Sequence, residues 1–156
     1  MRYVLIDRIT ALEPGRSLEA VKNVSLSDDL VERVRPGVSA LPPSMVLEAM
    51  AQAAGLLVVA SIHEPVQPVL AKVQPFTAHA HAIAGDQIRL RAELQDLRSE
   101  GARARVDARV GDTTIAEAVI YLGLMPIDGE ERIALMRERL ADAFPGWFAM
   151  TVSVGL

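Results

Sequence analysis

Glu48 and Gln52 are the residues best placed for chemistry in this chain, because they interrupt an otherwise apolar stretch from Met45 to Ile62. A spacing of four places both side chains on one face of a helix. A carboxylate among apolar residues is costly unless it is paired or hydrogen-bonded. We therefore predict that Glu48 is the polar centre of a pocket and a candidate acid, with Gln52 orienting it. Two alternatives stay open: Glu48 only caps N–H groups of the preceding loop, and Gln52 only packs.

The segment before this stretch is rich in turn-forming residues and carries two arginines, Arg33 and Arg35. Neither arginine can act as a base, because a guanidinium group stays protonated. They either bind a phosphate group of a ligand or belong to a solvated loop. The loop passes through Pro36-Gly37, and the helix is predicted to start at Pro42-Pro43, since proline suits the first helical turn.

Alternation of apolar and polar residues predicts the elements that must position these side chains. A hairpin precedes the long helix, and an antiparallel meander follows it. A twisted sheet buries such an apolar helix only by curling around it, which indicates an α+β fold. The predicted strands are 2–12, 17–26, 66–83 (interrupted by Pro68 and Pro75), 87–97, 102–110, 113–122 and a short one at 147–152. The predicted helices are 43–62 and 130–144, with a short helical turn at 27–29.

Composition restricts the class of protein. At 156 residues, 51% of them hydrophobic, the chain is long enough for one domain with a substantial core. A net charge of −4 argues against a general nucleic-acid binder. The absence of cysteine excludes disulfides, a thiol nucleophile and a cysteine-based metal site. The N-terminus lacks the apolar run of a signal peptide, and Glu48 and Gln52 favour a buried helix over a membrane span, so we expect a cytoplasmic protein.

Short motifs in matching order and spacing resemble those of the 3-hydroxyacyl-[acyl-carrier-protein] dehydratases of fatty-acid synthesis. In that family a Gly-His-Phe-Pro-Gly loop is followed by Met-Pro-Gly and by a helix containing Glu-Ala-Met-Ala-Gln. The corresponding segments here are Arg33-Val34-Arg35-Pro36-Gly37, Leu41-Pro42-Pro43 and Glu48-Ala49-Met50-Ala51-Gln52. The resemblance implies the hot-dog fold, an antiparallel sheet wrapped around one long central helix. We expect residues 1–125 to form this domain and 126–156 a C-terminal extension packed on it.

The resemblance also implies site residues, and two positions depart from it. The family's histidine, the base that removes a proton next to the thioester carbonyl, corresponds to Val34. The glycine whose N–H binds the thioester oxygen corresponds to Pro43, which has no N–H. We therefore expect an acyl-thioester-binding protein of fatty-acid or related acyl metabolism that lacks the standard dehydration mechanism, with Arg33, Arg35 and Gly37 contacting the substrate. The alternatives are an active dehydratase-like lyase or a thioesterase with a different base, and a non-catalytic partner subunit of a heterodimeric dehydratase.

The expected ligand is an acyl thioester on an acyl carrier protein or coenzyme A, with no cofactor and no metal. His79 and His81 alternate on a predicted strand, where surface histidines are favoured over a replacement base, and no third metal ligand is evident. Family members pair into dimers that share each active site, so we expect a homodimer or a higher even oligomer. The sheet also carries a basic face, either solvated or suited to an acidic carrier protein, formed by Arg89, Arg91, Arg103, Arg105 and Arg109.

Overall fold

A six-stranded antiparallel sheet and one long helix form the framework of the computed structural model, which describes residues 4–144 and 146–147. The strands are β1 (Arg8–Glu13), β2 (Ser17–Asn23), β3 (Glu32–Arg35), β4 (Val38–Leu41), β5 (Val66–Ala78), β6 (Ala82–Ile83), β7 (Gln87–Leu97), β8 (Gly101–Val110) and β9 (Thr113–Pro126). The helices are α1 (Pro43–Ser61) and α2 (Glu130–Ala143). The large sheet has the order β1-β2-β7-β8-β9-β5, and a small sheet has the order β3-β4-β6.

Small residues bring α1 close to the sheet. Ala49, Ala53, Ala54 and Ala60 are buried in its interface with β2, β5, β7, β8 and β9, and their short side chains allow the dense packing of a protein core. By length and composition α1 is the one helix among the described residues that meets the criteria for a membrane span, and half of the qualifying window is buried inside the protein. Its packing against five strands is that of a core helix, as predicted.

The meander β7–β8–β9 follows the predicted alternation. Ile88, Leu90 and Ala92 of β7 are fully buried, and the charged residues between them are exposed. In β8 the buried positions are filled mostly by alanine, as in Ala104 and Ala108. The alanines on the inward face of β8, like those of α1, therefore allow helix and sheet to pack closely.

β5 is an edge strand that contains two prolines. The predicted interruption at Pro68 and Pro75 is wrong, because β5 continues through both, although its pairing with β9 shifts register twice. An edge strand tolerates proline because the missing N–H faces away from the ladder. Val69 and Leu70 on this edge are 41% and 46% exposed. The single chain thus presents an apolar edge.

The segment before α1 differs from the sequence prediction. A loop is predicted there, whereas β3 and β4 form a hairpin that turns at Gly37, with β4 also pairing with β6. Gly37 has φ +74°, a conformation that glycine adopts at low cost. All four residues of β3 are exposed, so they lack the alternation that identifies a strand. Residues 26–30 form turns rather than the predicted helical turn, and β1 begins at Arg8 rather than near residue 2.

The C-terminal segment is anchored at the end of α2. No residue of α2 itself is buried, and Leu140 packs only partly against the core. Phe144 and Trp147, by contrast, are 8% and 4% exposed and belong to the hydrophobic core. Trp147 is helical, and the rest of the strand predicted at 147–152 lies outside the described residues.

Candidate functional site

Glu48 is held in place by Gln52, one helical turn further along α1. The Gln52 side-chain amide donates to Glu48 Oε1 at 3.1 Å, and Gln52 Oε1 accepts the backbone N–H of Leu5 at 2.9 Å. A backbone N–H only donates and a carboxylate only accepts, so these two partners fix the orientation of the amide. Gln52 therefore ties Glu48 to the chain segment before β1, and this link to Leu5 has no signal in the sequence.

The exposure of Glu48 differs from the apolar pocket that its sequence neighbours indicate. Ala49 and Met50 are fully buried, whereas Glu48 and Ser44 are exposed. The apolar residues face the sheet, while the stripe that carries Glu48 faces away from it. In the single chain the Glu48 side chain is therefore exposed to solvent.

The start of α1 offers few hydrogen-bond donors. Pro42 is the N-cap residue, makes no side-chain capping bond, and is followed by Pro43, which has no N–H. The N–H groups of Met45 and Val46 both donate to Pro42 O, at 2.9 and 3.1 Å. No acidic residue lies in the first turn, so no carboxylate offsets the positive end of the helix dipole.

The β3–β4 hairpin leads into this helix start. Arg33 pairs with Ser39 and Arg35 with Val38 across the hairpin, with a bulge between the two pairs. Val34 between them is 44% exposed. Among residues 4–144, no ion pair involves Arg33 or Arg35, and no hydrogen bond joins the hairpin side chains to Glu48. The hairpin and Glu48 are thus linked through the short connection between β4 and α1.

A partly buried ion pair that the sequence analysis missed fixes the segment before the hairpin. Lys22 is the one buried charged residue in the described part of the chain. Its Nζ lies 3.0 Å from Asp28 Oδ2. Asp28 Oδ1 accepts the Leu30 N–H at 3.0 Å. This backbone bond, aided by Lys22 and opposed by partial burial, holds the pKa of Asp28 below its ordinary value. The sequence did contain a sign of this pair: Lys22 falls at an inward-facing position of β2, opposite the buried Ile88.

The arginines of the outer sheet face are largely paired with acids. Arg91 contacts Glu19 and Glu93, and the bond to Glu93 is the main reason that the pKa of Arg91 is raised. Arg105 Nη2 lies 3.1 Å from a Glu117 carboxylate oxygen. Further contacts of this kind join Arg98 to Asp96 and Arg109 to Asp107. The face is a mixed charge network, which favours the solvated alternative over a docking patch for an acidic carrier.

The two histidines lie beyond the end of β5 rather than on a strand. His79 Nε2 is 3.1 Å from Glu117 Oε2. This hydrogen bond, followed by that of Arg105, lowers the pKa of Glu117. No group of three or more potential metal ligands occurs among the described residues, and His79 and His81 are both exposed.

Two shallow depressions lie away from Glu48. One, of about 380 Å³, is lined by the β1–β2 hairpin and Arg91; the other, of about 360 Å³, is lined by the β7–β8 turn and Tyr121. Neither includes Glu48 or Gln52. Glu48 is instead exposed on the surface of the single chain.

Comparisons with known proteins identify relatives over most of the chain. Residues 1–119 match the family model of the FabA-like domain. The 3-hydroxyacyl-[acyl-carrier-protein] dehydratase FabZ of Symbiobacterium thermophilum is 35% identical over 124 residues, 79% of this chain and 87% of the relative. The FabZ of Pelotomaculum thermopropionicum is 34% identical over 124 residues, 78% of this chain and 88% of the relative.

Solved structures with less than 20% identity share the fold. A Streptococcus mutans protein bound to acetyl CoA has a TM-score of 0.67 at 12% identity, covering 83% of this chain and 96% of its own. A Haemophilus influenzae thioesterase has a TM-score of 0.63 at 15% identity, covering 78% and 80%. A hypothetical thioesterase from Streptococcus pneumoniae with coenzyme A has a TM-score of 0.63 at 11% identity, covering 78% and 90%. The chain has the hot-dog fold and belongs to the FabA-like family, together with the FabZ 3-hydroxyacyl-[acyl-carrier-protein] dehydratases.

Proposed function

We propose that this protein binds acyl thioesters beside Glu48 on α1, with an acyl carrier protein or coenzyme A as the carrier. The observation that carries the proposal is the exposed Glu48 carboxylate, which Gln52 holds on the apolar helix of a FabA-like domain. The dehydratase relatives and the fold neighbours with acetyl CoA or coenzyme A support it. The proposal implies a cytoplasmic protein.

The proposal further holds that standard dehydration is weak in the isolated chain. A 3-hydroxyacyl thioester loses water when a base removes the proton next to the carbonyl and an acid protonates the departing hydroxyl. Glu48 is suited to protonate the departing hydroxyl. At the positions that resemble the family's base and oxyanion donor, Val34 accepts no proton and Pro43 donates no hydrogen bond. A positioned base contributes about 10²–10⁴-fold and one oxyanion donor about 10²–10³-fold, so the losses affect both halves of the reaction.

In this proposal the β3–β4 hairpin contacts the phosphate groups of the carrier. Arg33 and Arg35 are exposed and free of ion pairs among the described residues, so their guanidinium groups are available to an anion. Gly37 at the turn leaves open space where a Cβ would stand, which permits close approach of a ligand. We expect the paired variant Arg33→Ala/Arg35→Ala to bind crotonyl-CoA more weakly, and an unchanged affinity would contradict this role.

One set of assays tests the binding proposal. Crotonyl-CoA and 3-hydroxybutyryl-CoA are offered to the purified protein, and binding, hydration, dehydration and hydrolysis are followed together. Glu48→Gln is compared with Glu64→Gln, a matched change at an exposed glutamate in the turn after α1. We expect binding with little dehydration, and weaker binding in Glu48→Gln but not in Glu64→Gln. Absence of both binding and turnover with either thioester contradicts the proposal.

The same assays separate the alternatives. Release of free coenzyme A identifies a thioesterase in which Glu48 activates water. Rapid dehydration by the isolated chain identifies an active lyase with a different base. Activity that arises only after mixing with a histidine-containing paralogue identifies a partner subunit.

A further inference from the structure

On the outer face of the large sheet, two cations lack the acidic partners that most of their neighbours have. The neighbours that contact a carboxylate are Arg91, Arg98, Arg105 and Arg109. Lys72 of β5 and Arg103 of β8 are both exposed, and neither forms an ion pair within the described part of the chain. Their positive charges are therefore available to an anionic ligand.

Tyr121 of β9 stands between these two cations. It is opposite Lys72 in the β5–β9 pairing and opposite Arg103 in the β8–β9 pairing. Neighbouring strands are about 4.8 Å apart, so the backbones of the two cations are about 10 Å from each other. Lys72 Nζ lies 5.7 Å from the centroid of the Tyr121 ring, within the range of a cation–π contact. The ring and the two cations thus form one row across three strands.

The next row along this face has no side chains. Gly101 of β8 is opposite Gly123 of β9, two residues away from Arg103 and from Tyr121 respectively. Because side chains alternate along a strand, both glycine positions belong to the outer face. A depression of about 360 Å³ opens here, and its lining includes Gly101, Arg103 and Tyr121. An aromatic ring and a guanidinium group therefore border an open stretch of backbone.

The fold requires one of these glycines but not the other. A Cβ at Gly101 would meet Leu122 O at 2.9 Å, closer than side chains normally approach. A Cβ at Gly123 would meet only Val69 O, at the ordinary contact distance of 3.9 Å. A glycine in the interior of a strand often marks a place where a ligand approaches the backbone closely. Gly123, which packing does not demand, fits this description.

The charges around the depression favour an anion at its Arg103 side. Asp96 and Glu100 also line it. Asp96 is engaged by Arg98 at 3.1 Å, and Glu100 belongs to the β7–β8 turn. Arg103, by contrast, lies within β8 beside Tyr121, with Lys72 on the other side of the ring. The unpaired positive charge is therefore concentrated around the tyrosine.

We propose that this depression binds a nucleoside phosphate, a planar ring joined to a phosphate group. The ring lies over the backbone of Gly101 and Gly123 and against Tyr121, since every nucleobase can pack on an aromatic side chain. Arg103 binds the phosphate with its planar guanidinium group, and Lys72 adds a second positive charge across the ring. No covalent bond is made or broken. The inference is independent of the proposed function, because Glu48 belongs to the helix on the inner face of the sheet.

Titration calorimetry with adenosine monophosphate tests the proposal. We expect adenosine monophosphate to bind, and adenosine or inorganic phosphate alone to bind much more weakly. Arg103→Ala should weaken binding about 10-fold, the loss of a hydrogen bond between charged groups. Lys72→Ala should weaken it about 2- to 5-fold, as for an exposed charge. Arg109→Ala is the matched control, since Arg109 lies on the same strand and face but contacts Asp107, and it should leave binding unchanged.

Gly123→Val tests the floor of the depression separately from its charges. Valine suits a strand, and the space beside Gly123 is open, so the melting temperature should stay the same. Its side chain occupies the place of the ligand ring, so binding of adenosine monophosphate should be lost. Tyr121→Val removes the ring contact and should weaken binding as well.

Three results would overturn the inference. One is that the unmodified protein does not bind adenosine monophosphate. Another is that Arg103→Ala binds it as tightly as the unmodified protein. The third is that inorganic phosphate binds as tightly as adenosine monophosphate and a folded Gly123→Val keeps this affinity, which would indicate surface charge alone.

Competition with coenzyme A identifies the source of the nucleoside phosphate. If coenzyme A displaces adenosine monophosphate from both the unmodified protein and Glu48→Gln, the nucleotide end of coenzyme A occupies this depression. If it displaces none, the ligand is a free nucleotide. Either result supports the site, and binding of crotonyl-CoA at Glu48 is judged separately by its own variants.

Discussion

Replacing Val34 by histidine tests which part of the dehydration chemistry this chain retains. We expect Val34→His to raise the rate of crotonyl-CoA hydration only partly, because a base is added while Pro43 still donates no hydrogen bond. The double variant Val34→His/Pro43→Gly should gain about a further 10²–10³-fold. The rate is followed as the loss of enoyl absorbance at substrate concentrations well below KM, where it reports kcat/KM.

Ile83→His is the matched control for this series, since Ile83 is 42% exposed and Val34 is 44% exposed. It should leave the rate unchanged. Turnover of the unmodified protein at the rate of its FabZ relatives would refute the argument and point to another base. His79 and His81 are the first residues to replace in that case.

Asp28 contributes stability that depends on pH. Its folded-state pKa is lowered, so the bonds to Leu30 and Lys22 stabilise the fold above its unfolded pKa of about 3.9, and this contribution is lost as the pH falls through the lower folded value. We expect Asp28→Asn to reduce the free energy of unfolding by about 1–3 kcal/mol near neutral pH. Urea unfolding at successively lower pH should show this difference shrinking.

Asp29→Asn, at the exposed neighbouring residue, serves as the control and should have little effect at any pH. A difference between Asp28→Asn and the unmodified protein that stays constant from neutral to acid pH would show that the carboxylate charge is not what stabilises this segment.

At the residue scale, the spacing of two residues predicted their contact, whereas the character of their neighbours did not predict their burial. The interval between Glu48 and Gln52 was sufficient to predict their contact, because helical geometry alone brings them together. The exposure of Glu48 was not predictable from its apolar neighbours, since which stripe of α1 faces the sheet depends on the strands. The bond from Leu5 joins residues 47 positions apart, and no local pattern reports such a pair.

The end of α2 provides a test at the scale of elements. Phe144→Ala should lower the free energy of unfolding by about 3–5 kcal/mol, because a buried aromatic side chain is removed. Leu135→Ala on the same helix is the control, since Leu135 is 44% exposed and should contribute little. Thermal and urea unfolding give the comparison.

Binding of crotonyl-CoA by the same two variants separates stability from gating. We expect affinity to be unchanged in Phe144→Ala at temperatures where it is folded, because the aromatic anchor stabilises the domain. A gain in affinity would instead show that the C-terminal segment restricts access to the site.

Whether an element could be predicted depended on how strongly its residues alternate. β7 and β8 were predictable because one face of each is buried and the other is charged. β3 was not, because all four of its residues are exposed. β5 was only partly predictable, since proline normally interrupts a strand and is tolerated here by the edge position.

At the scale of the whole molecule, the β5 edge predicts association. An exposed apolar edge strand is a template for pairing with another chain, so we expect a dimer by light scattering at micromolar concentration. Leu70→Lys should shift the protein toward monomer, because it places a charge on this edge. Leu26→Lys, at a loop residue that is 73% exposed, should leave the dimer intact. A stable monomer of the unmodified protein would contradict the expectation.

The two prolines of β5 limit how far another strand can be added at this edge. Neither proline has an N–H, and along a strand only alternate residues direct their N–H groups to a given side. The part of β5 in which every residue keeps its N–H, on one side or the other, is residues 69 to 74 between the prolines. We expect an antiparallel partner copy to pair within that window, because a strand displaced along the edge lies beside a proline that cannot donate. Open-ended stacking of chains into fibres requires a continuous edge. We therefore expect Pro68 and Pro75 to narrow the choice of register and to favour a closed pair over a growing aggregate.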